Sequence, residues 1–113
     1  MEELFNGMLT QRIEVVNARW SVLARCAAEE AARILKMDVP EIRFFYKQRH
    51  DSVQGYEQGG VIHVAAGLSE RDTACTAIHE CRHVWQTQQP EWRDRSKADR
   101  ERDAVLFELS WPR

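Results

Sequence analysis

The sequence predicts an α+β domain, a small sheet packed on helices, and three observations carry that prediction. Apolar residues Ile13, Val16, Trp20, Leu23, Ala27, Ala31 and Ile34 recur at steps of three and four, the period of a helix that buries one stripe. Two short runs, Glu41 to Lys47 and Val61 to Ala65, are rich in aromatic and β-branched residues, as strands are. Helical periodicity then returns twice, once after Ser69 and once from Lys97 to Leu109.

Taken in order, the first helix is long, spanning about residues 8 to 37 and ending before Pro40. Its Arg12, Glu14, Arg19, Arg25, Glu29, Glu30 and Arg33 read as a solvated face. The strand at Glu41 to Lys47 follows. Residues 48 to 60 are polar and end in Gly59-Gly60, so they form a loop or a short hairpin arm before the strand Val61 to Ala65. The sheet therefore has two or three strands. Ser69 and Asp72 have the spacing of a capping box, which starts a helix that runs to about Gln88 and stops before Pro90. After a connection containing Trp92, Arg93, Asp94 and Arg95, the last helix occupies Lys97 to Leu109, and Pro112 bars its extension.

With 113 residues, 43% of them apolar, the chain suits one modest core, so residues 1 to 113 are expected to form a single domain. Sixteen basic and 18 acidic side chains leave a net charge of −2, which offers no surplus for a phosphate backbone and argues against nucleic acid as a partner. The opening MEELFNGMLTQRIEVV never builds an apolar run of the length a signal peptide or membrane span needs. A soluble, cytoplasmic protein is the expectation. Its three cysteines, Cys26, Cys75 and Cys81, agree with that compartment. Cys75 and Cys81 lie about 9 Å apart in helical rise, too far to bridge.

His79-Glu80-Cys81-Arg82-His83 is an HExxH pattern inside the helix that begins near Ser69. Residues four apart lie about 40° apart around a helix, so both imidazoles project from one face and can grip one ion, Zn²⁺ by preference. Glu80 lies about 60° from His83, near enough to act as general base toward a water at that ion. Ala74, Ala77, Ile78, Cys81, Val84 and Trp85 fall on the opposite, packing face.

A zinc site needs a third protein ligand. Glu101 is the candidate: on the last helix it shares a stripe with Ala98, Ala104, Val105 and Leu109, while Asp99 and Asp103 point the other way. A carboxylate in an apolar, inward stripe needs neutralising, by a metal or by a salt bridge to an arginine of another element. Glu108, one heptad on, is the alternative ligand.

HECRH followed by Glu101-Arg102-Asp103-Ala104 resembles the gluzincin arrangement of zinc metallopeptidases, HExxH on one helix and E-x-x-A on the next. It is most similar to the minigluzincins and to the ImmA/IrrE-like and SprT-like small zincins, over about residues 61 to 108. The resemblance implies a minimal zincin-like domain that hydrolyses a peptide or protein substrate. It makes His79, His83 and Glu101 the zinc ligands, Glu80 the base and proton shuttle, and strand 61 to 65 the edge along which an extended peptide lies. Val105 departs from the family, many of whose members carry an acidic or amide residue after the Ala, so an outer partner for one histidine has to come from elsewhere. Gln86 and Gln89 stand where a metzincin has its glycine and third histidine, which excludes that variant.

His63, Tyr56 and His50 are the candidate donors to an oxyanion. His63 has the competing reading of an ordinary half-buried strand residue. Cys75, one turn before His79, lies along the metal face and reads either as a thiol near the ion or as packing. Two rival readings stand beside the peptidase: a non-catalytic regulatory module whose zinc clamps two helices, and a metal-free helical adaptor.

Overall fold

In the computed structural model, residues 19–46 and 52–111 are described. Helix α1 (Arg19–Leu35) is followed by strands β1 (Ile42–Phe45), β2 (Gly55–Gln58) and β3 (Val61–Ala65). Helices α2 (Glu70–Gln88), α3 (Pro90–Arg93) and α4 (Lys97–Leu109) complete an α+β domain. Residues 8 to 18 of the expected first helix lie outside the described residues. Among the described residues, no helix is long and apolar enough to cross a membrane.

Helix α1 buries the expected Ala31, but the rest of its buried stripe is displaced from the expected one. Ala24, Ala28 and Ala31 are fully buried, whereas Leu23 and Ala27 are only half-buried and Ile34 is exposed. The reason is the closeness of α1 to α2: the Cys81 thiol reaches the Ala28 carbonyl at 3.9 Å. Only small side chains fit between two backbones that near, so the larger residues flank the contact instead of filling it. Ala77, Ile78, Cys81 and Val84 complete the core from α2, and Ile62 completes it from the sheet. The charged face of α1 is solvated as expected at Arg19, Glu29, Glu30 and Arg33, while Arg25 is half-buried.

The sheet has three strands in the order β1-β3-β2, with β1 parallel and β2 antiparallel to β3. The polar stretch before Val61 is thus a hairpin arm. Gly59 and Gly60 turn it with φ of 60° and 81°, the left-handed pair that a two-residue hairpin loop requires. Strand Val61–Ala65 is consequently the central strand, not the edge expected from the family resemblance. Pairing of the GYEQ segment covers its flank, and β2 is the edge beside α2.

Gly55 is what lets that edge approach α2. A Cβ placed there would overlap the Thr76 Cγ2 methyl, and it would stand 2.8 Å from the His63 carbonyl oxygen and 3.5 Å from Glu80 Cγ. Neither the β-branched threonine nor the backbone carbonyl can swing aside. Gly55→Ala is therefore expected to lower stability by about 2 kcal/mol, measurable by urea unfolding, through displacement of β2 from α2.

Helix α2 begins where expected, with Ser69 Oγ accepting from the Asp72 amide at 3.1 Å, and it ends at Gln88 before Pro90. Pro90–Arg93, expected as a plain connection, is a short helix. Ser96 Oγ accepts from the Asp99 amide at 3.0 Å and starts α4. Arg82 then fastens α4 to α2. Its guanidinium makes a two-point contact with Asp103 at 2.7 and 3.1 Å and stacks between the rings of Trp85 and Phe107.

That clamp turns α4 away from the expected orientation. Asp103, Phe107 and Glu108 face inward around buried Ala104, whereas Ala98, Val105 and Leu109 are exposed. Glu101 lies on the flank of this face and not within an apolar stripe. A hydrophobic wheel could not find the orientation, because the contact is held by ion pairing and cation–π stacking.

Candidate metal centre

Helix α2 forms the floor of a cleft, with β2 as one wall and α4 as the other. His79 and His83 rise from the floor one turn apart. Glu101 reaches both from α4, with Oε1 2.7 Å from His79 Nε2 and Oε2 3.0 Å from His83 Nε2. The two Nε2 atoms are 3.2 Å apart. Donor atoms of the three residues all lie within 4.8 Å of one another, a spacing that can hold a metal ion. The arginine pairing considered for Glu101 belongs to Asp103 instead.

The outward nitrogens fix which way the inward ones act. His79 Nδ1 is 3.0 Å from a Glu108 carboxylate oxygen, which only accepts; a neutral ring that donates there has its lone pair on Nε2, the nitrogen facing Glu101. His83 Nδ1 is 2.9 Å from Gln86 Oε1. The orientation of that amide follows from its other end: Gln86 Nε2 donates to the Arg100 carbonyl at 2.9 Å and to Asp103 Oδ2 at 2.8 Å. Gln86 therefore presents oxygen to His83, which must donate from Nδ1. Two lone pairs 3.2 Å apart beside a carboxylate repel unless a proton or a metal cation lies among them. Two neutral imidazole nitrogens and one carboxylate are also a donor set that zinc accepts, with a further position left for water.

Gln86 and Glu108 thus supply the outer contacts that Val105 does not. In the sequence Gln86 serves only to exclude the metzincin variant; its place three residues after His83 is a usable signal for this contact, since that spacing meets on a helix surface. Glu108, expected as an alternative ligand, instead supports His79 from behind. Replacing such partners commonly weakens metal binding by about 10- to 100-fold. For a zinc ion held by this group, Glu108→Gln and Gln86→Leu are each expected to weaken binding on that scale in a competition titration against a chromophoric chelator.

Glu80 is 6% exposed and lines the same cleft. Burial pushes its carboxyl up to about 8, with the negative charges of Glu101, Glu57 and Glu108 adding to the effect. A divalent cation held by His79, His83 and Glu101 would act in the opposite sense and favour the carboxylate. Asp103 goes the other way. Desolvation would raise its carboxyl, but hydrogen bonds from Arg82 and Gln86, with the charges of Arg82 and His83, hold it below the ordinary value.

The remaining candidates divide. Cys75 lines the cleft with His79 and Glu80, but its sulfur is not part of the three-residue group. Burial, with the charge of Glu108, raises its thiol and disfavours the thiolate a metal would bind. Cys81 is buried in the core, and burial pushes it up to about 12, which marks it as packing. His63 is not brought to the group. Ile62 and Val64 face the helices, so alternation turns His63 to the other face of the sheet, where its ring stacks on Tyr56 at 4.3 Å. Tyr56 borders the cleft on β2 with its ring on that outer face. His50 lies outside the described residues, as do Pro112 and Arg113. No protein family, curated protein or solved structure matches the chain.

Proposed function

We propose that this chain is a small zinc-dependent peptidase-like domain of the gluzincin type, with His79, His83 and Glu101 as ligands and Glu80 as general base. One observation carries the reading: two histidine Nε2 atoms and a carboxylate converge, while each imidazole is oriented from behind by its own acceptor. A buried carboxylate beside this group argues against a purely structural clamp, which has no use for a base.

Zinc held by these three residues would supply a Lewis acid to polarise a peptide carbonyl and to acidify water. The chain's own groups do the rest. Glu80 takes the proton of the attacking water and returns it to the departing amine. Low exposure keeps bulk water from competing for that carboxylate. Substrate lies along β2. Since the Ala65 amide bonds to the Gln54 carbonyl at 2.8 Å, residues 54, 56 and 58 bond inward to β3. Gly55 and Glu57 then direct their backbone amide and carbonyl groups to the open edge, where an extended peptide can add as a strand.

The direct test is cleavage of an unstructured polypeptide by the purified chain, with chelator and with zinc restored. Cleavage that stops on chelation and returns with zinc supports the reading. A chain that binds zinc but cleaves none of a broad peptide library is the non-catalytic module.

A further inference from the structure

The two ends of the cleft differ in charge. Toward the start of α2, the wall beyond His79 is formed by Arg71, Asp72 and Glu108, of mixed sign. Toward its end, a cavity of about 430 Å³ opens directly beyond His83, bounded by Glu57, Trp92, Arg93 and Arg100. Lys97 borders the adjoining furrow, which it shares with Arg100, His83 and the carboxylates of Glu57, Glu80 and Glu101.

Two guanidinium groups, Arg93 and Arg100, therefore face this cavity against the single carboxylate of Glu57, which is already engaged by the Gly60 amide at 2.9 Å. Arg100 is half-buried, and its Nη1 donates to the Arg95 carbonyl at 2.8 Å, which fixes one side of the guanidinium and leaves other donors free. Trp92 provides a flat apolar wall. An anchored guanidinium, a second one nearby and an aromatic wall make a pocket suited to a carboxylate on a short stem.

We propose that this end of the cleft is a specificity pocket for a carboxylate of the bound peptide, with Arg100 and Arg93 as its determinants. The inference rests on the reading of β2 as the peptide-binding edge. A strand added at β2 runs past His83 into the cavity, so the group received there is a few residues from the bond beside Glu80. The carboxylate comes either from an acidic side chain or from the peptide's C-terminus.

Fluorescence anisotropy on the zinc-loaded Glu80→Gln chain tests this without turnover. The probes are short labelled peptides in two pairs: Glu against Gln with both ends blocked, and a neutral sequence with a free against an amidated C-terminus. At least one acidic member is expected to bind about tenfold tighter than its neutral counterpart, the scale of one charge-assisted hydrogen bond. The pair that shows the preference identifies the source of the carboxylate. The preference should fall close to unity in Arg93→Gln/Arg100→Gln, survive in Arg100→Lys, and be untouched in Arg102→Gln, a change on the exposed side of α4. Equal binding within both pairs, or a preference that survives the double variant, overturns the pocket alone. Binding of no peptide overturns the pocket together with the peptide-edge reading.

Discussion

On the proposed peptidase reading, Glu80→Gln lowers the rate of peptide hydrolysis about 10³-fold while leaving zinc bound. The amide has nearly the shape of the carboxylate but cannot accept a proton. Because Glu80 is a neighbour of the ligands and not one of them, the three-residue group should keep its geometry. The substitution also removes an ionisable group that burial already disfavours in charged form, so the variant is expected to be at least as stable as the wild type. Stopped-assay kinetics with zinc quantified in the same sample would separate the two effects. Retained activity would show that another group takes the proton, whereas loss of zinc would make Glu80 part of the ligand set.

The second large effect concerns stability. Zinc that binds only the folded chain stabilises it by about 4 kcal/mol when free metal exceeds the dissociation constant a thousandfold. In a domain of this size that corresponds to a rise in melting temperature on the order of 15 °C. A chelator should therefore lower the Tm of the wild type by this amount and leave that of His79→Ala unchanged. A metal held by the proposed group would tie α2 to α4, because Glu101 and the histidines sit on separate helices that Arg82 and Asp103 already clamp together. Scanning calorimetry with and without chelator measures it. Equal shifts in both proteins would place the stabilising metal elsewhere.

What could be read from the sequence was what depends on neighbours along the chain. The extent of α2 followed from Ser69 and Pro90, and the common face of His79 and His83 followed from their spacing alone. Gly59-Gly60 marks the hairpin, and the polar arm before it reads equally as a loop; the edge position of Val61–Ala65 is implied by the family resemblance alone, and the pairing of β2 makes that strand central. The contacts that organise the site depend on docking between elements. Nothing local says that Glu108 will stand behind His79, or that Gln86 will be held by the Arg100 carbonyl and Asp103. Gly55 illustrates the same limit: its role is a close approach to Thr76, visible only once the edge strand lies on the helix. In α1, the large apolar residues dominate the pattern while the small ones make the contact, so Ala24 and Ala28 are buried in place of Leu23 and Ala27, and Ala31 is buried as expected.

Zinc content is the measurement that bears most directly on the proposed centre. The wild type and His83→Ala would each be purified without chelator, dialysed against trace zinc and analysed for metal per chain. About one zinc per chain in the wild type and close to none in His83→Ala is the expected result. Equal zinc in the two proteins, or none in a folded wild type supplied with the ion, would contradict a metal site at His79, His83 and Glu101.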